Sequence, residues 1–143
     1  EKTGTSSQVI MKGSKPAAQV DSLYGAYLDK VIYMPVVNLD KPDARELMDG
    51  YFNSLKPVAY ELVYATDDDN GYAIELKSRL DGKALIWYNT LWDTLCGGHD
   101  DDRALSDPDG AFGFLIDTLG ARIIQTDRAE LLLDYLRSRS LHK

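Results

Sequence analysis

Five short runs of β-branched and aromatic residues, separated by stretches of helical periodicity, confine this chain to folds in which strands and helices alternate. The runs are Val9-Ile10-Met11, Val31 to Val37, Val58 to Tyr64, Ala84 to Asn89, and Ala121 to Gln125. Their nearly continuous apolar character suits strands covered on both faces, as in a parallel sheet, so the fold class is α/β. Pro35 interrupts the pattern, because it cannot donate a ladder hydrogen bond, and predicts a bulge or a strand end. The run midpoints fall near residues 10, 34, 61, 87 and 123, a cadence of about 25 residues with one long excursion between Leu91 and Pro108. A (βα)₈ barrel has this rhythm but needs roughly 250 residues. The 143 residues here are read as a single α/β domain, 1–143, forming a partial barrel of about five parallel βα units.

The segments between the runs carry helix punctuation. Ser14-Lys15-Pro16 and Asp40-Lys41-Pro42 open two helices. The second places Ala44, Leu47, Met48, Tyr51, Phe52 and Leu55 on one stripe and ends at Lys56-Pro57. A third, from about Asn70 to Leu80, is expected to turn Ala73, Ile74, Lys77 and Leu80 inward, with Gly82 as its left-handed cap. A fourth begins at Asp107-Pro108 and stops at Gly120, and the last, about Asp127 to Ser138, buries Leu131, Leu132, Tyr135 and Leu136. Asp127 is expected to cap it.

Charge and composition remove several functions. With 16 Lys and Arg against 23 Asp and Glu, the net charge of −7 disfavours nucleic acid and anionic membrane surfaces as partners. No apolar run reaches the ~18 residues of a membrane span. One cysteine, Cys96, rules out an internal disulfide and a cysteine-based zinc site. The opening Glu1-Lys2-Thr3-Gly4 lacks a basic segment followed by an apolar one, so a signal or upstream domain is expected to have been removed or never to have belonged to this chain.

In a barrel the reactive end is the C-terminal end of the strands, which directs attention to Lys12, Asn38, Glu61, Trp87, Asn89 and Asp127. Lys12 is a candidate point charge for a phosphate, beside Gly13, which permits close approach. Glu61 interrupts an apolar strand, and a buried carboxylate requires a cation, a lysine or a ligand hydroxyl; Lys12 is a candidate partner. Asn89 ends its strand, ready to hydrogen-bond a loop or a substrate. The acidic stretch at residues 98–109 offers hard oxygen ligands of the kind that hold calcium or magnesium, or forms a lid at the barrel mouth, or is a solvated loop. The two histidines are His99, within this acidic stretch, and His142, in the tail.

The closing stretch Gly120-Ala121-Arg122-Ile123-Ile124-Gln125-Thr126-Asp127-Arg128-Ala129, with the Leu-rich helix after it, resembles the last strand and helix of glycerophosphodiester phosphodiesterases. Ala129 stands where that family has proline. Ile86-Trp87-Tyr88-Asn89-Thr90 is similar to the family's penultimate strand, with Tyr88 in place of a smaller residue. The resemblance implies that the chain corresponds to strands four to eight of a TIM barrel, and that the front strands are absent. Those strands carry the family's two catalytic histidines and the carboxylates that hold a divalent cation, Mg or Ca, so no catalytic or metal residue is carried over to this sequence. It also implies a metal-dependent phosphoric diester hydrolase of lipid metabolism, which converts a glycerophosphodiester to an alcohol and glycerol 3-phosphate. This chain would supply the rear wall, inactive alone, with Lys12, Glu61, Trp87 and Asn89 as substrate-binding residues and Trp87 as an apolar wall for the glycerol. An extracytoplasmic location is preferred. The alternative is a non-catalytic module that binds small phosphorylated ligands and closes its open strand edges as a homo-oligomer.

Overall fold

The computed structural model describes residues 3–143. Its five strands, β1 (Ile10–Gly13), β2 (Ile32–Asn38), β3 (Ala59–Val63), β4 (Leu85–Asn89) and β5 (Ala121–Gln125), form one sheet in sequence order. Every neighbouring pair is parallel. Helices α1 (Ala17–Tyr24), α2 (Ala44–Asn53) and α3 (Gly71–Leu80) fill the first three crossovers. The fourth holds α4 (Asp101–Ala104), a π-helical turn at Asp109–Gly113 and α5 (Phe114–Asp117), and α6 (Ala129–Ser138) follows β5. This is an α/β fold consistent with a partial βα barrel. Among the described residues no helix is long and apolar enough to cross a membrane.

Right-handed crossovers between sequence-adjacent parallel strands put all the helices on one face. That face holds the main core: Val20 of α1, Ala44, Met48 and Tyr51 of α2, and Ala73, Leu76 and Leu80 of α3 pack on Tyr33, Val37, Tyr60, Leu62, Ile86 and Tyr88. Aromatic rings run across it, Tyr24 to Tyr33 to Tyr51 to Tyr60, with centroids 6.5, 6.3 and 6.2 Å apart. A smaller apolar cluster joins Ala104, Ala111 and Phe112 to Leu132 and Tyr135 of α6.

The opposite face carries no helix. At the N-terminal ends of the strands it leaves Ile10 46%, Ile32 36% and Leu85 46% exposed, and Ile10 lies directly beside Ile32 in the ladder. Among the described residues β1 pairs only with β2 and β5 only with β4, which leaves both outer edges open there.

Pro35 neither bulges nor ends its strand. The ladder between β1 and β2 runs to Gly13–Pro35, and the ladder between β2 and β3 starts at Val36–Glu61, so the missing donor sits where β2 passes from one neighbour to the other. In α3 the buried side is Tyr72, Ala73, Leu76 and Leu80, while Ile74 is exposed, against the expected stripe. Tyr72 takes that place because it shares a helical face with Leu76 and Leu80 at spacings of four, and the Arg45 guanidinium covers its ring at 3.9 Å. Lys77 does turn inward: its stem lies against Gly120 and its Nζ donates to the Asp117 carbonyl. Asp127 does not cap α6. Arg128 holds the N-cap position without a side-chain bond, and the Asp127 amide donates elsewhere.

Burial pushes the hydroxyls of Tyr51, Tyr60, Tyr64 and Tyr88 far above the ordinary tyrosine range. Each binds its proton more tightly folded than unfolded, so its contribution to stability is complete below about pH 10 and is lost as pH rises beyond it. In a spectrophotometric alkaline titration these four of the nine tyrosines are expected to ionise only together with unfolding.

Candidate functional site

Glu61 is the only carboxylate in the five strands, and it is 4% exposed on the helix-free face. A charge so placed needs a counter-charge. The ladder places Glu61 between Val36 and Trp87, and Lys12 reaches it from β1 to form an ion pair between Nζ and Oε2. Glu61 Oε2 has no other hydrogen-bonding partner among the described residues. The same ammonium stands 4.9 Å above the Trp87 ring and 3.5 Å from Gln125 Oε1, so β1, β3, β4 and β5 converge on one lysine. Trp87 Nε1 is buried and has no acceptor among the described residues. The cluster therefore offers an ammonium, an unused indole N–H and an aromatic face. These groups fit an anionic or hydroxyl-bearing small molecule.

Of the four binding residues expected from sequence, Lys12, Glu61 and Trp87 meet. Asn89 is also buried but has a local role: its Oδ1 accepts the Leu91 amide at 3.0 Å and shapes the turn after β4. Asn38 does the same for the Asp40 amide at 3.0 Å. Gln125, which sequence reasoning passed over, joins the cluster because it lies opposite Asn89 in the register between β4 and β5. Its place at the end of an inward-facing strand position was the available signal.

The excursion between β4 and α5 is fastened to the C-terminal rim. Asp101 is 6% exposed, and its Oδ1 accepts the hydroxyls of Thr90 and Thr126, each at 2.6 Å, while Oδ2 accepts the Asp127 amide at 2.7 Å. This carboxylate ties α4 to the ends of β4 and β5. His99 is 2% exposed and fully engaged. Its Nε2 donates to Asp67 Oδ2 at 2.7 Å, its Nδ1 faces the Gly110 carbonyl, and the ring stacks on Phe114 at 3.9 Å. Asp67 lies 32 residues earlier in the β3–α3 loop, a separation no local motif encodes. The excursion runs along the helix side of the rim, since Cys96 belongs to the main core.

A divalent cation fits the residues present poorly. Glu61 is paired with Lys12, Asp101 is used by three donors, and no group of three His, Cys, Asp or Glu side chains able to hold a metal occurs among the described residues. Within the acidic stretch at 98–109, Asp100 caps α4 through the Arg103 amide, and Asp107 accepts the Gly110 amide, which holds its carboxyl below the usual range.

The chain belongs to the DUF4996 family, described as a domain of unknown function, whose profile matches residues 33–136. The match spans Glu61, Trp87, His99 and Asp101, and Lys12 lies before it. No curated protein matches the sequence.

The ion pair is asymmetric, because the Lys12 side chain is 36% exposed and that of Glu61 only 5%. Lys12→Met strands a buried carboxylate and is expected to lower stability by about 3 kcal/mol. Glu61→Gln frees a lysine that reaches water and is expected to cost about 1 kcal/mol. Urea unfolding of the two variants checks this order.

Proposed function

We propose that this member of the DUF4996 family supplies the rear wall of a glycerophosphodiester phosphodiesterase-like barrel, in which Lys12 meets a phosphate oxygen and the Trp87 ring packs against the glycerol carbons. The observation that carries the reading is the convergence of Lys12, Glu61, Trp87 and Gln125 at the strand ends of the helix-free face. Glu61 holds the ammonium over the indole, so the charge is positioned before a ligand arrives, which lowers the ordering cost of binding. A phosphate would displace the long contact to Gln125 more readily than the ion pair. The buried indole N–H has no acceptor among the described residues, so a ligand oxygen that reached it would satisfy it. General acid–base groups and a cation would have to come from further βα units, because the strands here contain no histidine and one carboxylate.

A second reading is favoured by the exposed row of Ile10, Ile32 and Leu85 and by the two open edges: the chain self-associates through the helix-free face as a non-catalytic module for small phosphorylated ligands.

The test is release of glycerol 3-phosphate from a glycerophosphodiester, with magnesium or calcium, by the chain alone and mixed with a polypeptide carrying the front strands of a homologous barrel. The first reading predicts background turnover alone and activity on mixing, reduced at least about tenfold by Lys12→Met. Failure to complement, together with a stable dimer in sedimentation, would select the second.

A further inference from the structure

The first half of the excursion is attached in an unusual way. Between Leu91 and Arg103 only Cys96, His99 and Asp101 are buried, while Trp92 is 63% exposed. Two of these three are polar: Asp101 makes three hydrogen bonds to the ends of β4 and β5, and His99 bonds Asp67 and Gly110. Asp101 grips β4 and β5, whereas His99 grips Asp67 on the neighbouring loop, whose side chain is 40% exposed. From Ala104 onward the attachment changes character, because Ala104, Ala111 and Phe112 are fully buried in the small apolar cluster under α6. The segment thus has a firm apolar base and a front held by three buried side chains, Cys96, His99 and Asp101.

The backbone supports the same division. Gly97 and Gly98 adopt φ of +64° and +81°, which only glycine takes cheaply, and a Cβ at Gly97 would run into the Tyr64 ring. This double turn brings His99 back onto Asp67. One short parallel bridge, Tyr64 with Cys96, and the Gly97 amide on the Tyr64 carbonyl at 2.9 Å complete the contact with β3. Beneath it lies the Cys96 thiol, 0% exposed, its pKa pushed up to about 12 by burial and then by Asp100. It is unreactive while the segment is closed.

We infer that residues 91–100 form a strap along the C-terminal rim, fixed at one end by β4 and at the other by Asp101, that opens as a unit when His99 parts from Asp67 and Gly110, and that opening uncovers Cys96 and the end of β3. This rests on the packing of the rim and not on the substrate reading. Opening of this kind exposes little surface, so it differs from global unfolding in its response to denaturant.

The experiment is labelling of Cys96 with Ellman's reagent in the folded chain at a series of low urea concentrations, for the wild type, His99→Gln and Asp67→Asn. The strap predicts a wild-type labelling rate nearly independent of urea below the unfolding transition. It predicts a rate about tenfold higher in both variants, with the flat urea response retained. A wild-type rate that climbs with urea along the slope of global unfolding would overturn the inference, whether or not the variants fold. So would unchanged labelling in two folded variants.

Discussion

When parallel strands follow one another in sequence order, each right-handed crossover returns its helix to the same side, and the other side of the sheet stays uncovered. Every notable feature of this molecule follows from that asymmetry. The helix side can be packed with tyrosines and leucines to zero exposure. The other side must be served by curvature, by polar chemistry or by another polypeptide. At its C-terminal end polar chemistry serves it, through Lys12 and Glu61. At its N-terminal end nothing within the described residues does, and Ile10, Ile32 and Leu85 remain open.

The same asymmetry explains why a glutamate is tolerated in the middle strand. Glu61 occurs in the one strand whose residues are all buried, a position where an unpaired carboxylate costs several kcal/mol. The edge strand β1 brings a lysine long enough to span β2 and reach it, and the lysine's exposed side limits the desolvation of the pair. An ammonium fixed over an indole by a buried carboxylate adds little to stability compared with an apolar trio of similar volume. In the proposed reading it presents one oriented positive charge to an anionic ligand.

Much of the fold was legible because its signals are local. The β5 run Ala121–Gln125 matches its strand without error, and β3 and β4 differ from their runs only at the ends. The stripe of α2 and the glycine cap at Gly82, with φ of +67°, also follow from neighbouring residues. The failures involve contacts across the chain. Tyr72, not Ile74, turns inward in α3, and its ring is covered by Arg45 of another helix. Asp127 does not cap α6 because the helix starts one residue later, with Arg128 at the N-cap, while Asp101 of a distant loop accepts the Asp127 amide. The site shows the same divide: Lys12, Glu61 and Trp87 were marked by strand-end position and by a charge within an apolar run, whereas His99 with Asp67 and Asp101 with Thr126 are pairings between distant loops that a single sequence does not encode.

The central claim is that the helix-free strand ends bind a phosphate ester through Lys12 and Trp87. A titration of the isotope-labelled chain with glycerol 3-phosphate, followed by amide and indole chemical shifts, tests it most directly. The account predicts that at millimolar ligand the Trp87 indole N–H and the amides around Lys12 move together, and that Lys12→Met abolishes both responses. An unmoved indole, or shifts confined to the acidic rim at 98–109, would contradict it.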